Sequence, residues 1–493
     1  MNRRVYLQGG HVLCHAQSPV EKKNILIENG QIIDLLSPET DVQDVQPVDV
    51  SNMLIHPGLI NAHVHGHSTL GKGLANCWSL ELLLAAGAAV YGGRRLQDKH
   101  LSTLLGAAEL ALKGCTSVFD MNLQGALPTP EGTHAVASAY AKVGLRAVLA
   151  PMVSDVSFFR AIPGLLDAMP ENLHSKLDAR MPTHAEILDA LETVFQNWPD
   201  EFVMIKPGIA PTIPMHCSTP LWLGCMKIRE HYNLPMQTHL AESKVQVLSG
   251  IKHYNKTLTS YLNDLGALGP HFVAAHCVWL NEHDMELLAK TSSSISHNPS
   301  SNTLIGSGLP DVYRMQQHGI NVTLGTDGST CGDNLNMYEG MRNALRVSHV
   351  LYNHQDQWLD ARTAFQMATE NGAKALGIPS IGRIEKGFQA DLVFIDLSHP
   401  NWLPVNDYLV QLVQLEDATA VHSVMVNGDW VVRNHQLVNP ELQKLQEQAQ
   451  SAAQYLQEHN QNDWGIYKQI APAVSCFCSQ LMKTDYCVKR KEH

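Results

Sequence analysis

Short runs of apolar, β-branched residues alternate with longer helical patterns through the middle of this chain. The helical pattern LSTLLGAAELALKGC precedes the apolar run TSVFDM, HAVASAYAKVGL precedes RAVLAPMV, and EILDALETVFQNW precedes FVMIKPGIAP. Short apolar runs of this kind, bounded by Gly, Pro or Asn, are typical of strands covered on both faces. The alternation predicts a parallel sheet with helices around it, and the number of strands favours closure into a (β/α)8 barrel of TIM type.

The two ends of the chain have a different pattern. Near the N-terminus, the β-type runs RVYLQGGHVL and NILIENGQIIDLL are short, and the second contains the hairpin signal Asn29-Gly30. Residues 382–397 and 420–432 have the same character. We therefore expect both ends of the chain to pair into one small β-domain beside the barrel.

These patterns divide the chain into three units. Residues 1–55 and 376–440 are expected to form a small β-sandwich domain, and residues 56–375 the α/β barrel. The Gln-rich helical pattern that follows predicts a helical tail over 441–493, which we expect to serve in packing or in an oligomer contact.

Composition and charge narrow the class of protein. The chain has 493 residues, of which 44% are hydrophobic and 17% charged, so it can bury a large core. A net charge of -12 is unfavourable for binding nucleic acid or an anionic membrane. The ten cysteines are scattered, as expected of reduced thiols in a cytoplasmic protein. No signal-peptide pattern or uninterrupted apolar span is present in the sequence.

Two histidines lie at the end of the first apolar run. The segment HPGLINAHVHGH, residues 56–67, places His63 and His65 two positions apart, and such side chains point to the same side of a strand. Two imidazoles on one side can bind a transition metal of the zinc type. The alternative is a solvent-facing pair, which a chain with 26 histidines can contain without any metal.

Three later strands also end in a reactive side chain. The segment LPMQTHLAES carries His239 and Glu242, HFVAAHCVWL carries His276, and INVTLGTDGST carries Asp327. In a barrel of alternating strands and helices, the C-terminal ends of the strands converge on one face, where enzymes of this fold build their sites. The pattern predicts that four strands meet at one metal site.

Six segments, in this order, carry a resemblance to a known family: PGLINAHVH, QTHLAES, AHCVWL, SHNPSSN, LGTDG and GRIEKGFQADLV. They resemble motifs of the amidohydrolase superfamily, and most of all the branch that contains cytosine, guanine and S-adenosylhomocysteine deaminases and the s-triazine hydrolases. The resemblance implies a (β/α)8 barrel with a flanking β-sandwich. It also implies one divalent metal, zinc or iron, bound by residues that match His63, His65, His239 and Asp327.

The resemblance implies a reaction as well. Glu242 and His276 match the proton-transfer and water-orienting positions of the family, and Asp327 would accept a proton from the metal's water. A bound cation lowers the pKa of water from about 15.7 to about 7, which provides hydroxide near neutral pH. Attack on a carbon that bears an amino group, followed by loss of ammonia, is hydrolytic deamination of a purine, pyrimidine, pterin or triazine type of heterocycle.

Two other functions remain open from the sequence. The same groups can displace chloride or an alkylamine from a triazine-like ring. A non-catalytic scaffold of the same fold should have lost metal ligands, whereas this chain retains all of them. Lys206, in FVMIKPGIAPTIP, raises the question of a carbamylated lysine bridging two metals, but we expect it to lie before the end of its strand.

Residues that recognise the substrate are harder to find by pattern. His216 follows the fourth strand, Asn302 follows the seventh, and Trp78 lies beyond the His-x-His pair; each is a candidate substrate contact, with a purely structural role as the alternative. Asn298 stands where many relatives carry Cys, and GSTCGDNLNM follows Asp327 where adenosyl-type deaminases have paired asparagines. The sequence therefore predicts a small heterocyclic substrate without naming a nucleoside, and a homo-oligomer by analogy alone.

Overall fold

The computed structural model of the protein describes residues 3–199, 201–486 and 488. Residues 1–2 of the predicted β-domain and residues 487 and 489–493 of the predicted tail lie outside the described residues. Five strands precede the barrel: β1 (Arg4–Leu13), β2 (Val20–Glu28), β3 (Gln31–Leu36), β4 (Pro47–Asp49) and β5 (Met53–Pro57).

Parallel strands form the barrel. They are β6 (Leu59–Val64), β7 (Cys115–Asn122), β8 (Arg146–Val153), β9 (Ile205–Pro207), β10 (Ala210–Pro211), β11 (Met236–Leu240), β12 (Phe272–His276), β13 (Ser294–His297) and β14 (Asn321–Leu324). One sheet has the order β10-β8-β7-β6, with β9 also on β8, and the other has the order β11-β12-β13-β14. Parallel bridges at Val64–Asp327 and Ile209–Met236 join the two sheets along both seams. With β9 and β10 sharing the fourth position, the prediction of a TIM-barrel-type α/β fold is confirmed.

The strands after the barrel return to the N-terminal ones. They are β15 (Leu392–Asp396), β16 (Val421–Val426), β17 (Asp429–Arg433) and β18 (Gln436–Leu437). A nine-stranded sheet has the order β18-β17-β16-β15-β5-β1-β2-β3, with β4 paired to β1. Because β5 and β15 pair antiparallel, with Phe394 opposite Ile55, the two ends of the chain share one sheet.

Helices connect the barrel strands and follow the last sheet. In the first half they are α1 (Leu80–Ala85), α2 (Gly87–Tyr91), α3 (Leu96–Leu112), α4 (Pro130–Val143), α5 (Phe158–Ala161), α6 (His174–Leu177), α7 (His184–Gln196), α8 (Thr219–Tyr232) and α9 (Lys244–Tyr254). In the second half they are α10 (Leu258–Asp264), α11 (Glu282–Lys290), α12 (Pro299–Leu304), α13 (Val312–Gln317), α14 (Met337–Leu351), α15 (Ala361–Met367), α16 (Glu370–Leu376), α17 (Tyr408–Gln414), α18 (Leu445–His459) and α19 (Gln461–Leu481). Among the described residues, no helix combines the length and apolar character needed to span a bilayer.

Local sequence explains where these helices begin and end. At α4, the Thr129 side chain accepts a hydrogen bond from the Gly132 N–H, and Pro130 occupies the first turn, where its missing N–H has no cost. The helix ends at Gly144, whose φ of 92° is the left-handed conformation that glycine adopts most easily. Such capping fixes the length of each connection and hence the position of the next strand.

The C-terminal helix α19 packs against the first two helices after β6. Ile470 and Val474 of α19 are buried in a cluster that includes Leu82 of α1, and Tyr467 packs with Ala86 and Val90 around α2. The tail is therefore part of the barrel's C-terminal face, close to the strand ends that carry the polar residues.

Candidate metal centre and active site

The predicted strand-end residues lie together inside the barrel mouth. His63 and His65 stand at the end of β6, His239 on β11, His276 at the end of β12, and Asp327 just after β14. All five side chains are buried. The His63 ring lies 4.8 Å from that of His65, 5.0 Å from that of His239 and 5.1 Å from that of His276, measured between centroids.

Each of the four imidazoles is held through its Nδ1 atom by an acceptor outside the cluster. The partners are Gln237 Oε1 for His63 (2.7 Å), the Met121 carbonyl for His65 (2.7 Å), the Thr212 carbonyl for His239 (2.6 Å) and Asn302 Oδ1 for His276 (2.9 Å). Because carbonyl and amide oxygens only accept, Nδ1 carries a hydrogen in each ring, and each ring directs its Nε2 into the cluster. Such outer partners are typical of metal-ligating histidines.

Asp327 provides the negative charge of the cluster. Its Oδ1 lies 3.5 Å from His63 Nε2 and 3.3 Å from His65 Nε2. The Ser301 hydroxyl donates to Oδ2 at 2.7 Å, and the Gly328 N–H donates to Oδ1 at 2.7 Å. Although burial alone would raise the pKa of this carboxyl, the surrounding histidines hold the pKa well below its usual range. Asp327 is therefore a carboxylate at neutral pH.

The donor set fits a divalent transition metal. The Nε2 atoms of His63 and His276 are buried without a hydrogen-bond partner, and those of His65 and His239 lie 3.1 Å apart with no hydrogen between them. Burial, with help from His63, lowers the pKa of His65 to about 4, and the same causes lower the pKa of His239 well below 6.5. Converging neutral lone pairs next to a carboxylate leave a site that a cation satisfies.

Glu242 and His276 flank the remaining side of the cluster. His276 Nε2 lies 3.8 Å from Glu242 Oε1 and 3.7 Å from Asp327 Oδ2. Burial, together with the charges of Asp327 and Glu81, raises the pKa of Glu242 well above its ordinary value, and its Oε2 has no partner. Burial also lowers the pKa of His276 to about 4. Burial therefore favours the uncharged form of both the Glu242 carboxyl and the His276 imidazole.

Backbone strain coincides with these positions. Ala241, His276, Cys277 and Asp327 all have positive φ, between 49° and 72°, although none is glycine. Such conformations cost about 1–3 kcal/mol each and persist where the surrounding structure enforces them. The strain turns the chain sharply at the ends of β11, β12 and β14, so that these side chains face inward.

The predicted substrate contacts lie around the cluster rather than within it. Asn302 is fully buried against His276, Trp78 packs on Trp464 and Tyr467, with ring centroids 6.2 Å and 5.2 Å away, and His216 is buried 6.3 Å from the Phe158 ring. None of these three candidates lines the cavity beside the cluster. Their roles in substrate binding stay predictions.

Lys206 is solvent-exposed on β9, before the end of the fourth barrel position. A side chain in this place does not bridge two metals at the cluster, in agreement with the position expected from the sequence.

Two residues of the site were missed by sequence reasoning. Gln237, which holds His63, lies two positions before His239, so the two side chains point to the same side of β11. Ser301, which holds Asp327, lies in the SHNPSSN segment four residues after His297. The alternation of side chains along β11 could have indicated Gln237. The hydrogen bond from Ser301 to Asp327, by contrast, depends on the path of α12.

Comparison with known proteins places this geometry in a family. A family model described as "Amidohydrolase family" matches residues 54–431. A 5'-deoxyadenosine deaminase from Methanosarcina barkeri is 30% identical over 468 residues, which cover 92% of this chain and 98% of the relative.

Solved structures with the same fold include two that contain zinc. An adenosine deaminase from Xanthomonas campestris has a TM-score of 0.80 at 24% identity and covers 92% of this chain and 98% of its own. An atrazine chlorohydrolase from Arthrobacter aurescens TC1 has a TM-score of 0.80 at 22% identity and covers 91% of this chain and 100% of its own. At these identities the likeness concerns the fold. Since the family model spans more than half of the chain, and the barrel carries the cluster just described, the chain belongs to the amidohydrolase family.

Proposed function

We propose that this protein is a metal-dependent hydrolase that removes an amino group, as ammonia, from a nitrogen heterocycle. The observation that carries the proposal is a set of three overlapping groups of potential metal ligands, formed by His63, His65, His239, His276, Asp327 and Glu242, in which burial raises the pKa of Glu242 well above its ordinary value. The names of the relatives, which are deaminases of adenosine-type compounds, support the same reaction class.

The metal ligands in this proposal are His63, His65, His239 and Asp327, with one divalent ion per chain. Three imidazoles and a carboxylate favour zinc, and iron is the alternative. When bound, the cation lowers the pKa of a coordinated water to about 7 and so makes a nucleophile available at neutral pH. Zinc in two proteins of the same fold agrees with this choice.

In this proposal, Asp327 and Glu242 transfer protons, and His276 orients the water. Asp327 accepts a proton from the attacking water, because it is a carboxylate at neutral pH. Glu242 starts protonated and donates to a ring nitrogen of the substrate. The proton that Asp327 took from the water then passes through Glu242 to the leaving amine, which departs as ammonia, and the second water proton, released as the product C=O bond forms, restores Glu242. His276 presents an unprotonated Nε2 toward the space between the two carboxyl groups, where it accepts a hydrogen bond from the water and directs it.

The apolar cavity beside the cluster favours a second candidate reaction. Hydrolytic displacement of chloride or an alkylamine from a triazine-like ring uses the same groups, and the leucine side chains of α1 suit alkyl substituents. Retention of every ligand makes a non-catalytic scaffold the least favoured reading.

We also propose the following organisation. Residues 1–55 and 376–440 form a small β-sandwich, residues 56–375 the barrel, and residues 441–493 a helical tail. Supporting this, apolar side chains from β1, β2, β3, β5, β15 and β16 share one core separate from that of the barrel. The isolated, unpaired cysteines among the described residues suit a cytoplasmic location.

The test combines metal content with product analysis. We expect about one zinc or iron per chain, and ammonia from at least one amino-heterocycle in a panel of purines, pyrimidines, pterins and triazines. Chloride or alkylamine release without ammonia would select the second candidate, and a metal-replete protein with no hydrolysis of either kind would refute both.

A pair of matched variants locates the chemistry. Glu242→Gln should lower kcat by about 10²–10⁴-fold while metal content is unchanged, since it removes only the proton donor. Glu416→Gln is the control, because Glu416 is also fully buried with a raised pKa but lies beside Trp402, away from the cluster. Equal losses in both variants would contradict a specific role for Glu242.

A further inference from the structure

A cavity of about 160 Å³ opens beside the proposed metal ligands, and its walls are mainly apolar. A cavity of about 150 Å³ holds a benzene molecule, so the space matches one ring with small substituents. The apolar walls consist of Leu80, Leu83, Leu84, Leu123, Met152 and Ile213. The first three come from α1, which α19 supports from its other side.

The polar groups in the lining are few and mostly occupied. Apart from the cluster and Glu242, the polar side chains are those of His67, Tyr91, Thr212 and Cys331. The Tyr91 hydroxyl shares a hydrogen bond of 2.7 Å with the Thr330 hydroxyl, and the Cys331 thiol donates to the Gly328 carbonyl. A ribose placed here would bury several hydroxyls against leucine side chains, and each unpaired one costs about 1–3 kcal/mol.

His67 is the exception, because its orientation is fixed and one nitrogen remains available. The Leu123 N–H donates to His67 Nδ1 at 3.1 Å, which requires a lone pair on Nδ1 and therefore a hydrogen on Nε2. The Ser102 hydroxyl donates to the His67 carbonyl at 2.9 Å, and the Arg94 guanidinium donates to the same oxygen. Within the described part of the chain, Nε2 has no hydrogen-bond partner.

His67 also stands at the right distance from the reacting centre. Its ring centroid lies 5.2 Å from that of His65 and 5.0 Å from that of Tyr91 in an edge-on arrangement. The His67 ring is therefore adjacent to His65, one of the proposed metal ligands, and it lines a cavity with mainly apolar walls.

We propose that the substrate is a free heterocycle with small apolar substituents rather than a nucleoside, and that His67 Nε2–H donates a hydrogen bond to an acceptor atom on that heterocycle. This inference rests on the proposed function and specifies its substrate class. It separates this chain from relatives that are named for nucleoside substrates. His67 is then a binding residue that sets specificity and takes no part in proton transfer.

Matched ring pairs test the substrate class. Ammonia release by the zinc-loaded protein is compared between 9-ethyladenine and adenosine, 1-ethylcytosine and cytidine, and 9-ethylguanine and guanosine, with alkylated aminotriazines as additional sugar-free compounds. We expect kcat/KM to be at least tenfold higher for the sugar-free member of any pair that reacts. Equal or better turnover of the ribosides would overturn the inference while leaving deamination intact. Absence of hydrolysis throughout would instead defeat the proposed function, and this inference with it.

Variants of His67 test the hydrogen bond. His67→Leu should raise KM for the best substrate about tenfold with little change in kcat, the effect of one lost hydrogen bond. His67→Gln, which retains an N–H donor of similar reach, should recover most of the loss and guards against misfolding of the leucine variant. His100→Leu, in which a half-buried histidine on the outside of the barrel loses contacts to Ala135 and Ser138, is the control. An unchanged KM in both His67 variants, at normal zinc content, would overturn the assignment.

Discussion

Replacement of Asn302 by leucine should change the tautomer of His276 and thereby most of the activity. Two amide groups compete for His276 Nδ1. Asn302 Oδ1, at 2.9 Å, accepts the Nδ1 hydrogen, whereas Asn298 Nδ2, at 3.3 Å, can only donate to Nδ1. In the native protein the shorter contact holds the hydrogen on Nδ1. In the leucine variant the remaining donor, Asn298, favours a hydrogen on Nε2, and Nε2 then no longer accepts a hydrogen bond from water.

The size of the effect distinguishes this explanation from simple loss of a contact. One neutral hydrogen bond is worth about 0.5–1.5 kcal/mol, or at most about tenfold in rate. Loss of correctly positioned acid–base assistance costs about 10²–10⁴-fold, or roughly 3–5 kcal/mol. We therefore expect kcat/KM of Asn302→Leu to fall by more than about 100-fold, with unchanged metal content because His276 is outside the proposed ligand set.

The assay is steady-state ammonia release across pH, with Asn302→Asp as the rescue variant. Aspartate keeps an acceptor at Nδ1 and should restore most of kcat. Its negative charge also raises the pKa of His276 from about 4, so the acid limb of the kcat/KM profile should move to higher pH. A loss of only a few fold in Asn302→Leu, or an equal loss in both variants, would refute the tautomer argument.

Three further predictions concern stability. Burial lowers the pKa of His56 to about 4, against about 6.5 in the unfolded chain. Between these pH values the unfolded state binds more protons, so the free energy of unfolding should fall by about 3 kcal/mol as the pH drops from 6.5 to 4. Urea unfolding of the metal-loaded protein should show this pH dependence, and His56→Gln should reduce it. Trp222 of α8 is fully buried and donates to the Pro214 carbonyl at 3.2 Å, so Trp222→Ala should cost about 3–5 kcal/mol in chemical unfolding, whereas a loss under 1 kcal/mol would contradict the packing. Removal of the metal by a chelator should lower the unfolding free energy by about 4 kcal/mol relative to metal at a thousandfold excess over Kd, and zinc should restore it in calorimetry; an unchanged transition would count against the centre.

Much of the barrel and the cluster could be predicted from the sequence because both depend on local patterns. Short apolar runs define the strands, and a polar residue directly after such a run lies at the barrel mouth wherever the strand ends. That rule alone brings His239, His276 and Asp327 together with the His-x-His pair, as the structure has them. The two-residue alternation along a strand also places Gln237 on the same side of β11 as His239. Its role as the partner of His63, however, requires knowing that β6 and β11 face each other.

Contacts between residues far apart in sequence could not be predicted in this way. Asn302 was placed after a barrel strand by its pattern, but its hydrogen bond to His276, 26 residues earlier in the chain, is visible only in the structure. Trp78 likewise packs on Trp464 and Tyr467, about 390 residues later in the chain, which no local pattern indicates. The periodicity of apolar residues indicates which side of a helix or strand is buried, but it does not identify the distant element that packs against that side.

The same limit explains why the family motifs do not identify the substrate. The motifs lie at strand ends and fix the reaction chemistry, whereas the cavity walls come from α1 and the loops around it. On α1, Leu83 lines the cavity and Leu82 joins the cluster with Ile470 and Val474 of the C-terminal helix. A substitution in that helix can therefore shift α1 and alter the cavity without touching a metal ligand. We expect such substitutions to change substrate preference while leaving metal content unchanged.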